Sequence, residues 1–390
     1  MDFDRQFKGL FVPEALLAYE PFVLGLSTKS RIPTVLILDA PWVKRYGNAG
    51  WLYGLESTQV FSRGDLVPAV AEAFSVKLTQ RRGQKELVAV PTSIKGNILF
   101  YRQDLLQRYR LPPPRDWQEL KAICRKILPL EKSLKYGLIF HATNFGNDFY
   151  PLLWGFGGQI LDEQGHLVLG QEKNLNAAIA ALSEICSMQG SLAPGPKELN
   201  RFELPGALRY TFYRGEALFM INWNTRIQDL KKMIRQSEYA SSKSLTNIDQ
   251  VGVAPIPSQP GNAHRYSNIG SFGWGINVSA IAKTNYQVMT NAKKFINLVT
   301  EEEFQLLAAE DMGQVPTLRH VMDKVTNKEV LQVYRDIFAS PDVILEPRPY
   351  SRRLNNILEK YLQEAIYGKL SPEAAIKGAA QELKALGTID

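Results

Sequence analysis

Tyr213-Arg-Gly-Glu-Ala-Leu-Phe-Met-Ile-Asn222-Trp223-Asn224 joins a glycine turn to a short apolar run that ends in an amide, an indole and a second amide. Gly215 can close a preceding helix in the left-handed conformation that other residues resist, and Ala217 to Ile221 then reads as a buried strand. The strand would deliver Asn222, Trp223 and Asn224 at its end. Each amide offers donors and an acceptor to hydroxyl groups, and the indole can cover a flat C–H surface. Two readings stand open here. One is a core strand running into an ordinary loop with a half-buried Trp; the other is a wall for a polar ligand with apolar faces, as sugars have.

Working outward, Pro33-Thr-Val-Leu-Ile-Leu-Asp39 is a short run rich in β-branched residues and ended by an acid. It reads as a buried parallel strand with a polar group at its C-terminal end, where ligand sites of open α/β sheets lie. Glu86 to Val90, Asn97 to Tyr101, Tyr136 to Phe140 and Val251 to Pro257 read as further strands. Asp116 can cap a helix over Trp117 to Leu128, and Asp148 to Gly157 is an apolar helical stretch closed by Gly157-Gly158. The last third reads as almost entirely helical, ending in a helix with Ser371 as N-cap and Pro372 at its first position. Strands alternating with helices, then trailing helices, argue for α/β layers with parallel or mixed sheets.

The 390 residues suffice for two or three domains, and 45% hydrophobic with 22% charged residues is the balance of a soluble globular protein. No apolar run reaches the roughly 18 residues of a membrane span. Residues 1–6, Met-Asp-Phe-Asp-Arg-Gln, lack the basic-then-apolar pattern of an export signal. Lys plus Arg exceed Asp plus Glu by 46 − 39 = 7, yet the basic clusters are not interleaved with aromatic platforms, so no nucleic-acid partner is expected. The histidines His141, His166, His264 and His320 stand singly, so neither a metal nor a cofactor is expected. Cys124 and Cys186 read as buried free thiols rather than a disulfide. Gly270-Ser-Phe-Gly273-Trp-Gly275 fits neither phosphate-binding nor dinucleotide-binding patterns and reads as backbone that must approach something closely. Asp39 and Glu56 are among the carboxylates that a carbohydrate-active enzyme could use.

Several stretches, in order, resemble the extracellular solute-binding proteins of ABC importers, in the family 1 branch for maltose, trehalose and related sugars. They are Pro33 to Val43 with Ala49-Gly50-Trp-Leu, and Asn97-Ile-Leu-Phe-Tyr101-Arg-Gln-Asp104 with Pro113 and Trp117-Gln-Glu-Leu. Leu153-Trp154-Gly-Phe-Gly-Gly158, the Gly215 run, Val251 to Pro257, Gly273-Trp274-Gly-Ile, Ala292-Lys-Lys-Phe-Ile and Pro347-Arg348-Pro follow.

The resemblance implies an α/β, two-lobe periplasmic-binding-protein-like fold of type II, with mixed sheets flanked by helices and solute held in a cleft. The first lobe would comprise 1–93 and 276–320, and the second 97–272 and 321–390. Chain crossings are expected near 92–96, 271–275 and 318–323. By the same resemblance Asp39 and Trp42 would bind ligand from the first lobe, and Trp154, Asn222, Trp223 and Asn224 from the second. Phe272 and Trp274 would act near the hinge, and Arg348 from a late segment. Lys95 stands where sugar binders often place an acid. An anionic solute, a lysine donating to sugar oxygens and a surface lysine are all open readings.

The implied function is non-catalytic capture of a sugar or small glycoside, passed to the permease subunits of the importer. The protein would be a monomer, periplasmic or extracellular and lipid-anchored. Only residues 1–32 precede the first matching block, so the chain is expected to be N-terminally short, with a truncated first lobe. The alternatives are a carbohydrate-active enzyme using Asp39 as acid or base, and a truncated relative that binds nothing.

Overall fold

The computed structural model describes residues 34–55, 63–78, 85–162, 165–204, 206–237, 240–278, 286–347 and 351–386. Residues 1–33, which carry the expected short start of the first lobe, lie outside this set, as do Glu56 and Arg348. Among the described residues the strands are β1 Val35–Asp39, β2 Ser75–Lys77, β3 Lys85–Leu87, β4 Ala89–Pro91, β5 Asn97–Arg102, β6 Tyr136–Ile139, β7 Ala217–Trp223, β8 Val251–Ala254, β9 Arg265–Ile269, β10 Phe272–Ile276 and β11 Val343–Pro347. The chain divides into two compact units, Met1–Lys95 with Ile269–Leu331 and Glu346–Tyr350, and Gly96–Asn268 with Gln332–Leu345 and Ser351–Asp390.

In the first unit, β10 lies between β1 and β4 and is antiparallel to both, with Asp39 opposite Phe272 and Trp274 opposite Val90. The expectation that β1 runs in a parallel pair is corrected here. An unbroken apolar run reports burial on both faces and not the direction of its neighbour. Gly273 explains the glycine-rich stretch: a Cβ there would come within 2.4 Å of the Phe74 ring and 3.1 Å of the Val90 carbonyl. The helix Tyr286–Thr300 turns Ala292, Phe295, Ile296 and Val299, spaced for one helical face, onto Val35, Val90 and Ile276.

Because β10 pairs with β1 and β4, the chain enters the first unit before it, after Asn268, rather than within 271–275. Near 318–323 the chain is likewise held in this unit. Leu318 bridges to Leu66, and the Thr317 hydroxyl donates to the Pro91 carbonyl at 2.8 Å.

The second unit is built on a sheet of order β6-β7-β5-β8, in which β6 and β7 are parallel and β5 is antiparallel to β7 and β8. All six residues of β5 are buried. The carboxyl ends of β6, β7 and β8 therefore meet the start of β5 along one edge. Asp116 caps the helix Trp117–Ile127 by accepting from the Glu119 amide at 2.8 Å, and Ser371 caps Pro372–Ala385 by accepting from Ala374 at 3.1 Å. Burial pushes the Cys124 thiol up to about 12 and the Cys186 thiol up to about 11, and both are free.

Sequence reasoning missed β9 and β11, which pair with each other. Neither alternates clearly, and β11 ends in a proline.

Candidate functional site

Gly215 adopts φ +71° just beyond the helix Ala207–Tyr213, as the turn before β7 requires. The strand then runs two residues further than expected, so Asn222 and Trp223 are paired within it, opposite Ile98 and Asn97. Alternation along the strand separates them: Met220 and Asn222 share one face, and Trp223 belongs to the other. Asn222 is 3% exposed and Asn224 1%, whereas Trp223 is half-buried.

Both amides are engaged inside the protein. The Asn224 side-chain oxygen accepts from the Gly96 amide at 3.0 Å, and the Asn224 amide donates to the Gly96 carbonyl at 3.0 Å. Asn222 Oδ1 accepts from the Trp223 amide at 2.9 Å. These bonds hold the sheet edge in place and leave the indole as the part of the tripeptide directed at a surface.

Beneath the edge lies a buried polar network that sequence reasoning missed. Asn97 donates its side-chain N–H to Asp148 Oδ1 at 2.6 Å, its backbone N–H to Asn268 Oδ1 at 2.9 Å, and its carbonyl accepts from the Ser267 hydroxyl at 2.7 Å. Asp148, 2% exposed, also accepts from the His141 backbone at 3.0 Å and faces His141 Nδ1 at 2.9 Å. Burial alone would lower the His141 pKa. The Asp148 charge and hydrogen bond, with a further bond to Asn222, outweigh burial and the opposing Arg226 charge, and the value is raised. His141 and Asp148 are seven residues apart, on a strand end and a helix start, with nothing in their spacing to announce the pair.

The helix Gly146–Gly155 lies across this edge. Its start is fixed by Asp148 to Asn97 and by Glu359, whose carboxylate accepts from the Phe145 amide at 2.9 Å and the Gly146 amide at 2.7 Å. Its end is fixed beyond β8, where the Gly155 carbonyl accepts from the Asn262 side chain at 2.9 Å. Trp154, in the last turn, is half-buried with its ring 5.8 Å from Tyr150 and 6.4 Å from Tyr266. Tyr266, on β9, is the aromatic that the missed strand concealed.

The first unit gathers its own group. Asp39 ends β1 opposite Phe272, which is 39% exposed, and the Lys95 ammonium stands 4.9 Å from the centre of the Phe272 ring. The Lys95 amide donates to the Ser271 hydroxyl at 3.2 Å, and the Gly270 amide to the Lys95 carbonyl at 2.9 Å. Trp42 follows in the helix Ala40–Asn48, half-buried against Tyr46 at 5.7 Å, with the Arg45 guanidinium 5.6 Å from its ring. Trp274 packs edge-on against Phe295 at 4.9 Å and belongs to the core of this unit. Asp39, Lys95 and Phe272 are thus brought together, and Trp274 is engaged in core packing.

A sheet edge rimmed by half-buried aromatics and backed by a fixed polar network offers rigid apolar faces beside polar groups. The profile of the bacterial extracellular solute-binding proteins matches residues 24–332. The chain belongs to that family. Among related solute-binding proteins, one from Deinococcus radiodurans described as a "Probable ABC transporter-binding protein" is 25% identical over 308 residues, 77% of this chain and 68% of its own. Maltose-bound MalE3 of T. maritima is similar in structure, with 27% identity and a TM-score of 0.72 over 94% of this chain and 88% of that one. The sugar-binding protein MalE of Xanthomonas citri, at 16% identity, has a TM-score of 0.74 over 99% and 92% of the two chains. The architecture is the two-lobe α/β fold of periplasmic-type solute-binding proteins, with helices flanking mixed sheets.

Proposed function

We propose that this solute-binding protein captures a sugar or small glycoside outside the cytoplasm, as a periplasmic or surface-anchored monomer, and delivers it to the permease of an ABC importer. The observation that carries this reading is Trp223: half-buried at the carboxyl edge of a sheet whose neighbouring amides are all engaged internally. An indole so held can cover the C–H face of a pyranose ring without reorganising.

In the second unit Trp154 and Tyr266 extend the aromatic surface. Asp39, Trp42, Lys95 and Phe272 are the candidates in the first, joined by Arg348 on the strength of the resemblance. Asp39 offers a carboxylate acceptor for sugar hydroxyls, and Phe272 an exposed ring.

The maltose carried by MalE3 of T. maritima, at 27% identity, supports starting with glucose disaccharides. Calorimetric titration with maltose, trehalose and a wider panel of disaccharides tests the reading. Saturable binding with no product formed supports capture, and turnover abolished by Asp39→Asn would replace it with hydrolysis.

A further inference from the structure

The helix Glu302–Met312, in the first unit, is acidic within a basic chain. Its 11 residues include Glu302, Glu303, Glu310 and Asp311 and no base, whereas the whole sequence has 46 − 39 = 7 more basic than acidic residues. Its inner face is fixed. Gln305, Ala308 and Ala309 are buried there, and the Gln305 side-chain oxygen accepts from the Thr317 amide at 2.9 Å and the Leu318 amide at 3.2 Å.

The outer face is apolar at its centre. Phe304 is 38% exposed, Leu307 59% and Met312 61%, so three of the seven large hydrophobic side chains exposed among the described residues lie on this one helix. A single exposed hydrophobic is ordinary, but a group of them on one fixed element marks a contact surface. Phe304 and Leu307 are neighbours three residues apart. Glu303 and Asp311 stand four residues before and after Leu307, on the same stripe.

The four acids divide by use. Glu302 pairs with Lys324 and faces His320 at 3.6 Å, and Glu310 accepts from the Thr326 hydroxyl at 3.0 Å and the Asn327 amide at 3.1 Å. Glu303 and Asp311 are exposed, and neither has an ion pair among the described residues. An apolar pair bracketed by two uncommitted carboxylates specifies its complement, an apolar side chain flanked by basic ones. Such a stripe repels nucleic acid and anionic lipid. It also repels its own copy, because two stripes packed antiparallel would set Glu303 against Asp311.

We propose that the outer stripe of the helix Glu302–Met312 is a protein-docking surface, and that its partner is a permease segment with an apolar residue between basic ones. The choice of partner rests on the reading of this chain as the capture subunit of an importer. Leu307 supplies the centre that is buried on docking; Glu303 and Asp311 supply a charged rim that speeds encounter and rejects acidic surfaces. A helix whose inner face is already fixed has little freedom left to lose.

The test uses the full chain in the cells that make it, with the photoreactive residue benzoylphenylalanine in place of Leu307. Irradiation should join the protein to an integral membrane subunit of an importer, through a peptide that contains Lys or Arg. Adding Glu303→Lys and Asp311→Lys should lower the yield about tenfold. The proposal is overturned by no adduct, by an adduct with a second copy, a soluble protein or lipid, or by a yield that ignores the two charge reversals. All three substituted side chains are exposed, so the variants should keep the fold, which circular dichroism checks.

Solute affinity separates docking from capture. For a sugar that binds, Leu307→Arg should leave the affinity within about twofold of wild type and lower uptake into those cells about tenfold. Unchanged uptake overturns the docking surface while capture stands. A protein that binds no sugar ends the capture reading, and the membrane-subunit adduct then decides docking by itself.

Discussion

Asn97 gives its side-chain N–H to Asp148 at 2.6 Å and stands opposite Trp223 in the β-sheet register. One residue thus ties a buried carboxylate to the strand position of the half-buried indole. Removing the acid by Asp148→Ala strands the Asn97 donor and both His141 donors in the interior. We expect a loss of about 3 kcal/mol, since each buried unsatisfied donor costs roughly 1–3 kcal/mol. Urea denaturation followed by circular dichroism measures it, and a loss below about 0.5 kcal/mol would mean that water replaces the carboxylate.

On the proposed role of Trp223 as a ligand wall, Trp223→Ala should weaken sugar binding by about 2 to 4 kcal/mol, because the apolar area that the indole covers is lost. The midpoint of thermal unfolding should move little, since the indole is only half-buried. Calorimetry showing unaltered affinity would take Trp223 out of the site.

Asn224→Ala should behave in the opposite way. Its oxygen is the acceptor for the Gly96 amide, so the cost falls on stability, at about 1–3 kcal/mol. Affinity measured on the folded fraction should stay close to the wild-type value. A selective loss of affinity at full stability would show that Asn224 touches the ligand.

The His141 and Asp148 pair predicts a stability profile with a definite sign. The folded pKa of His141 is raised above its unfolded value, so the protein gains stability from the pair in full below about pH 6.5, the ordinary histidine value. That contribution fades as pH rises through the folded value. The difference in unfolding free energy between wild type and His141→Gln, measured in urea at several pH values, should therefore shrink toward the alkaline side.

Gly273→Ala places a Cβ 2.4 Å from a ring carbon of Phe74, which is fully buried and cannot swing aside. Overpacking of this kind costs roughly 1–3 kcal/mol. Pairing the substitution with Phe74→Leu, which makes room, should recover part of the loss; no recovery would place the strain in the backbone instead.

Apart from β9 and β11, much of the order of strands and helices in the second unit was legible because its signals are local. Gly215 needs positive φ, Asp116 and Ser371 cap helices, and β5 and β7 are built on the apolar runs Ile98–Tyr101 and Ala217–Ile221. The direction of β1 was not legible, because partner choice is not written in a strand that is buried on both faces.

The candidate site divided along the same line. Trp223 was legible as an aromatic at a strand end and Phe272 only through the family resemblance, and both keep exposed surface. Asn222 and Asn224 looked like ligand donors, but an amide beside an indole looks the same whether it serves a guest or the backbone. The roles of Asn97, Asp148 and His141 arise from chain segments brought together by the sheet, and only the fold displays them.

Glu359 holds the start of the helix that carries Trp154, although it is made more than two hundred residues later in the chain. During synthesis Phe145 and Gly146 must wait for that carboxylate with their amides exposed. The aromatic edge is accordingly among the last parts of the molecule to be completed. A C-terminally clipped chain that kept the central sheet but lost Glu359 would leave the Phe145 and Gly146 amides without that acceptor, and the helix carrying Trp154 without its anchor.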